Sequence, residues 1–258
     1  MDFSQRAGLY NRYRKADPTL VDRIRSLMNL PKGSTIADIG AGTGNYSGAF
    51  SKCGYRVFSV EPEETMRSNT QQTDIRWINS FAEDIDLPDG SVDAAVAINS
   101  VHHFSDFEKA QREIYRILNR GPSITFTFDP EIATKMWIFD YWPGLKSVER
   151  SNYPPIGQVK DKIAETFGKA PEEIPFLLPR GFEDVFSAAL WDRPHVLFEK
   201  DSIRAMSLFS SLDSSIFRDG LERLGRDLTD GTFTKKYADL DSCPFYDAGC
   251  RILIVWKD

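Results

Sequence analysis

Apolar and polar positions along this chain fall into blocks that read strand, helix, strand. Leu20, Ile24, Leu27 and Met28 repeat at helical spacing behind Asp17-Pro18, an acid able to cap a helix and a proline suited to its first turn. Pro31-Lys32-Gly33 stops that helix, and the β-branched run from Thr35 to Ile39 predicts a first strand. A helix is expected over Asn45–Lys52, with further strands over Tyr55–Val60 and Ile75–Ile78. Ala94-Ala95-Val96-Ala97-Ile98 is apolar without alternation, as in a central strand covered on both faces. Behind a cap at Ser105 or Asp106, the residues Phe107, Ala110, Ile114, Ile117 and Leu118 line one helix face. Ser123 to Phe128 then predicts a strand that ends at Asp129-Pro130. Strands alternating with helices predict a parallel sheet with right-handed crossovers.

From Glu131 to Arg180 the alternation stops, and prolines and aromatics take over, notably Trp137, Phe139, Tyr141 and Trp142. This stretch is expected to be a cap inserted over the carboxyl edge of the sheet. Its aromatics suit either plain packing, which weighs slightly more, or a wall that selects an aromatic or apolar substrate. Beyond it, Val185–Trp191 suggests a strand, Ser202–Leu212 and Ser215–Leu228 suggest helices, and Cys250–Trp256 a last strand. The expected division is a core with N-terminal helices over 1–130, the inserted cap over 131–180, and completion of the sheet over 181–258.

Composition narrows the partners. With 258 residues and 41% hydrophobic content the chain can bury a sizeable core. A net charge of −6 disfavours a polynucleotide substrate, because nucleic acid is gripped by a basic face. The basic N-terminal stretch, with Arg6, Arg12, Arg14 and Lys15, is more simply a solvated helix face or a site for a small anion. No apolar run has membrane-spanning length, and the first residues lack a signal-peptide core. The three cysteines, Cys53, Cys243 and Cys250, form no Cys-x-x-Cys pair, so neither a disulfide framework nor a zinc site is expected. A cytoplasmic monomer or homodimer without a bound metal is the expectation.

Candidate chemistry gathers at the strand ends. Asp38-Ile39-Gly40-Ala41-Gly42-Thr43-Gly44 makes a glycine-rich turn between the first strand and a helix, where backbone must approach a ligand closely. Asn45 stands where a dinucleotide fingerprint requires its third glycine, so the spacing favours an adenosine with a smaller tail than a pyrophosphate. Glu61 lies 21 residues beyond Gly40, in register to accept from both hydroxyls of a ribose. His102 and His103 follow the central strand, where a near-neutral imidazole suits proton removal. Strand alternation would let only one of them face the ligand, with His103 preferred. Asp129 closes the next strand as a second candidate on the substrate side, or simply as a cap for the segment after it, and His195 receives no role.

Taken together, these motifs resemble the class I S-adenosylmethionine-dependent methyltransferases, and within them the type 11 small-molecule branch. The resemblance rests on Ile36 to Gly44, on Val60-Glu61-Pro62 with Met66, on Ala82-Glu83 before Leu87-Pro88, and on Ser91-Val92-Asp93 followed by Asn99 to Phe104. Tyr10, Tyr13 and Arg14 at one end, and Asp247 to Arg251 at the other, extend it. It implies a Rossmann-like, mostly parallel seven-stranded sheet with helices on both faces and an inserted cap. It also implies S-adenosyl-L-methionine as cofactor. Asp38, Gly40, Gly42, Gly44 and Asn99 would hold the methionine part, and Glu61 the ribose. Met66, Ala82 and Glu83 would meet the adenine, while Arg14, beside Tyr10, would close over the carboxylate. Phe81 stands where an aspartate that bonds the adenine amine is common, and Cys250 where a tyrosine is frequent.

Methyl transfer from a sulfonium requires alignment and exclusion of water, with a general base only for some acceptors. The leading expectation is therefore a methyltransferase acting on O, N or C of a small molecule. An enzyme using the same cofactor for other chemistry, such as cyclisation, and a non-catalytic nucleotide-binding module are the alternatives. A nicotinamide dehydrogenase is weaker, because Asn45 breaks its fingerprint.

Overall fold

A computed structural model describes residues 11–199, 203, 206, 208, 209 and 212–258. Its strands in chain order are β1 (Thr35–Ile39), β2 (Arg56–Val60), β3 (Arg76–Ile78), β4 (Ala94–Ile98), β5 (Gly121–Phe128), β6 (Glu172–Pro175), β7 (Leu178–Pro179), β8 (Phe245–Tyr246) and β9 (Cys250–Lys257). Seven of them form one sheet in the order β3-β2-β1-β4-β5-β9-β6, and β7 pairs only with β8. The first five run parallel, whereas β9 is antiparallel to both β5 and β6. Strand order reverses between β1 and β4, which pair side by side through Ala37 and Ala95. The loops leaving those two strands therefore diverge and open a crevice at their carboxyl ends.

Two apolar layers cover the sheet. On one face α1 (Pro18–Met28) buries Leu20, Val21, Ile24 and Met28 against Ile36, Val57 and Val96. Asp17 caps this helix by accepting from the Thr19 and Leu20 amides. Next in order come α2 (Asn45–Lys52) and the single turn α3 (Glu64–Arg67), each placed directly after a strand of the crevice. The other face carries α4 (Phe107–Ile117), whose Ala110, Ile114 and Ile117 pack with Ala37, Ile39, Ala95 and Ala97.

The stretch expected as a cap divides in two. Short helices α5 (Pro130–Ala133), α6 (Ile138–Tyr141) and α7 (Leu145–Asn152) sit beyond the end of β5. By contrast, α8 (Ile156–Phe167) belongs to the core: its Val159, Ile163 and Phe167 join the same layer as α4, and β6 extends the sheet edge. Apolar residues four apart give α8 a stripe to bury, and the high proline and aromatic content around it masks that signal. Val185–Trp191 is not a strand; Ser187–Leu190 is a 3-10 helix. Its Ala188-Ala189-Leu190 run is buried all round and has no polar face to alternate. The helix expected over Ser202–Leu212 falls largely outside the described residues. The one expected over Ser215–Leu228 is α9 (Ser214–Thr229), which lies against the short helices of the cap. Trp142 stacks on Phe217 there at 5.6 Å between ring centroids, and Trp137 Nε1 donates to the Trp191 carbonyl at 3.1 Å. Among the described residues, no helix is long and apolar enough to cross a membrane.

Candidate active site

A cavity of about 500 Å³ opens where the β1 and β4 loops separate. Gly40 takes a positive φ of 72° beside Ser100, whose hydroxyl donates to the Ile39 carbonyl at 2.7 Å. A Cβ on Gly40 would stand 2.5 Å from Ser100 Cβ, so no larger residue lets the two loops lie this close. Gly42 lines the cavity, and its amide donates to Glu61 Oε2 at 2.8 Å. Gly44 turns away from it, its absent side chain making room for Ile75 and Trp77 as α2 begins.

Two carboxylates face this cavity from neighbouring strands. Glu61 accepts from Gly42 through Oε2 and from the Glu63 amide at 3.0 Å through Oε1, which leaves lone pairs on both oxygens. Asp38 Oδ2 accepts from Ser47 Oγ at 2.6 Å, and Ser59 Oγ donates to Ser47 in turn at 2.8 Å. Burial pushes both carboxyls up, Asp38 to about 6, with the nearby Glu61 charge adding to it and the Ser47 hydroxyl opposing. Acids raised in this way gain from a cationic or hydroxyl-bearing partner.

Asn99 is the most telling residue of the site. It ends β4 at a φ of 51°, left-handed backbone that asparagine tolerates better than most side chains. Its amide is buried, and among the described residues neither Oδ1 nor Nδ2 has a hydrogen-bond partner, although the residue lines the cavity. A buried unpaired amide is costly, which makes Asn99 a candidate to bind a ligand.

The remaining expected residues divide. Met66 and Ala82 line the cavity, as does Phe81, which is 63% exposed at its mouth. Glu83 also reaches it, but its Oε1 accepts from the Ser105 amide and hydroxyl and from the Asp106 amide, tying two loops together. Burial pushes this carboxyl up, yet the bonds from Asp106 and Ser105 outweigh it and hold Glu83 below the usual range. Arg14 lines the cavity with its guanidinium on Asp184, 2.5 Å from Nε to Oδ1. Tyr13 is buried beside it, its hydroxyl directed at Glu199. Tyr10 lies outside the described residues. Asp129 is not among the lining residues; its carboxylate accepts from Glu131 N and caps α5. Cys250 is likewise absent from the lining, fully buried in β9.

The histidines depart from the strand-alternation expectation. Val101–His103 is a 3-10 turn, so both rings line the same cavity with centroids 3.9 Å apart. Burial first, then the charges of His103 and Arg14, lower His102 to about 3 and keep it neutral. Its ring packs on Tyr153 at 4.7 Å between centroids, and Tyr153 meets Phe128 edge-on. Sequence patterns miss Tyr46, Phe128, Tyr153, Asp184 and Phe186, all of which line the cavity. Asp184 and Arg14 are 170 positions apart, and no local spacing could join them.

A mostly parallel sheet covered on both faces, with a crevice where its strand order reverses, has the doubly wound architecture of nucleotide-binding clefts. Comparison makes this specific. Residues 37–126 match the methyltransferase domain family. A crystal structure from Anabaena variabilis, assigned as a methyltransferase of an antibiotic biosynthesis pathway, is 36% identical, spans 95% of this chain and 99% of that one, and superposes with a TM-score of 0.90. A malonyl-[acyl-carrier protein] O-methyltransferase of Pectobacterium atrosepticum is 26% identical over 58% of this chain and 60% of its own. An uncharacterized methyltransferase of Mycobacterium is 27% identical over 46% of this chain and 50% of its own. The chain thus spans 50% to 60% of the length of these two curated relatives. It belongs to the class I S-adenosylmethionine-dependent methyltransferases, type 11.

Proposed function

We propose that this protein transfers the methyl group of S-adenosylmethionine to a small molecule with an apolar or aromatic body. The buried, unpartnered amide of Asn99, facing the same cavity as Glu61 and Asp38, carries this reading. In it, Asn99, Asp38 and the Gly40–Gly42 backbone would hold the amino-acid part of the cofactor. Glu61 would accept from its ribose hydroxyls, and Met66, Phe81 and Ala82 would flank the adenine. When bound, the cofactor supplies a methyl carbon on a sulfonium, a leaving group that needs no protonation.

The chain's own residues have to orient the acceptor and keep water out. Phe128, Tyr153, Phe186, Met206 and Leu208 form the apolar side of the cavity. His102 and His103 supply polar groups where that side meets the β4 end. O-, N- and C-methylation are all open to this arrangement, and the aromatic wall is what supports an apolar acceptor.

Calorimetric titration with S-adenosylmethionine, S-adenosylhomocysteine and NAD tests the assignment. Binding of the first two and none of NAD is expected. Glu61→Ala should weaken S-adenosylhomocysteine by about 2–3 kcal/mol, the worth of a hydrogen bond to a charged group. Tight NAD binding without the other two, or near-normal affinity in both Glu61→Ala and Asn99→Ala, would sink it.

A further inference from the structure

Beyond the residues assigned to the cofactor, the cavity has a distinct chemical character. Its wall is aromatic and thioether: Phe128, Tyr153, Phe186 and Met206. The charges on the whole lining are unbalanced among the described residues, with Asp38 and Glu61 on the cofactor side and Glu63, Glu83 and Asp184 elsewhere, against Arg14. Arg14 is engaged, because Asp184, only 1% exposed, accepts from Nε at 2.5 Å and from Nη2 at 3.4 Å. An anionic acceptor entering here would meet like charge in a low-dielectric space.

His102 is the polar group set into that apolar wall. Its Nδ1 is buried without a hydrogen-bond partner among the described residues, and the ring is wedged between His103 and Tyr153. Burial first, then the neighbouring His103 and Arg14, disfavour an imidazolium there. Such a ring stays neutral, one nitrogen accepting and the other donating its N–H, and does not hold a second proton.

We infer that His102 binds the methyl acceptor as a neutral hydrogen-bonding group, and that the acceptor is an uncharged aromatic whose methylated atom bears an O–H or N–H. This rests on the methyl-transfer reading above and narrows it, since it excludes carboxylate acceptors. On transfer, the acceptor's oxygen or nitrogen forms the new bond to carbon. The electron pair of the broken carbon–sulfur bond stays on sulfur, and the acceptor's proton leaves to water past the more exposed His103 ring.

The test uses the full-length protein saturated with S-adenosylhomocysteine and titrated with the matched pair 2-naphthol and 2-naphthoate at neutral pH. Naphthol should bind, and naphthoate should bind at least about tenfold more weakly. His102→Ala should weaken naphthol about tenfold, whereas His102→Gln, which keeps a hydrogen-bonding group, should stay within about threefold. S-Adenosylhomocysteine affinity should be unchanged in both variants, which also shows that they fold. Naphthoate binding as tight as naphthol, no binding of naphthol, or naphthol affinity untouched by His102→Ala would each overturn the inference. Failure of S-adenosylhomocysteine to bind the wild-type protein would instead strike the methyl-transfer reading itself.

Discussion

Glu149 shows how much one side chain can weigh in this fold. It sits on α7, 5% exposed, and burial alone pushes its carboxyl up to about 7. An unfolded chain would ionise it near the ordinary value of 4.5. Between those two values the native state holds more protons than the unfolded one, so stability falls as pH rises and then levels off above about 7. The penalty at pH 8 amounts to roughly 3 kcal/mol at most. Glu149→Gln keeps the shape and removes the ionisation. Its stability advantage over wild type, measured by urea melts, should therefore be small near pH 5 and widen toward pH 8. A gap independent of pH would mean that Glu149 is not desolvated as the packing implies. Gly40 makes the same point for backbone. Gly40→Ala adds left-handed strain of about 1–2 kcal/mol to a collision with Ser100, and should lower the melting temperature even without cofactor.

At the level of elements, α9 and Trp142 set two rules against each other. Replacing a mid-helix glycine with alanine ordinarily gains about 1 kcal/mol. At Gly220, however, a Cβ would stand 2.1 Å from Trp142 Nε1, whose N–H donates to the Phe217 carbonyl at 3.2 Å. Trp142 is 1% exposed and stacked on Phe217, so it has little room to give. Overpacking of about 1–3 kcal/mol should outweigh the propensity gain, and Gly220→Ala should lower the urea midpoint. A rise would show that the tryptophan repacks freely. This contact also marks the limit of what local sequence encodes. From α1 to β5 each element buries a face that the chain writes locally, and the glycine loop, Glu61 and Asn99 stand at strand ends, so the fold and the residues lining this end of the cavity are legible in advance. The rest of the cavity draws on Phe128, Tyr153, Asp184 and Phe186, which converge only through tertiary packing. The histidines escape the strand rule for a local reason: the chain leaves β4 through a 3-10 turn, so alternation does not apply to them.

Across the whole molecule, the segment at Tyr13 and Arg14 connects three parts that are far apart in sequence. Asn45 Nδ2, at the start of α2, donates to the Arg14 carbonyl, and the Val185 amide donates to the Tyr13 carbonyl at 2.9 Å. Asp184 receives both the Arg14 guanidinium and the Tyr46 hydroxyl, the latter at 3.2 Å. The start of α2, this segment and the chain around Asp184 thus meet at one buried carboxylate. Removing one partner of a buried ion pair is far more costly than removing both, because the survivor keeps its desolvation penalty. Arg14→Ala should therefore destabilise the protein by about 3 kcal/mol, and adding Asp184→Asn should recover most of that loss. Hydrogen exchange separates the junction from global loosening. In Arg14→Ala the amides of 184–190 should lose protection and regain less of it on addition of S-adenosylhomocysteine than in wild type, while α4 on the opposite face stays unchanged. If exchange at 184–190 responds to ligand equally in both proteins, this stretch and the start of α2 are not coupled through this ion pair, and Arg14 is confined to a local role.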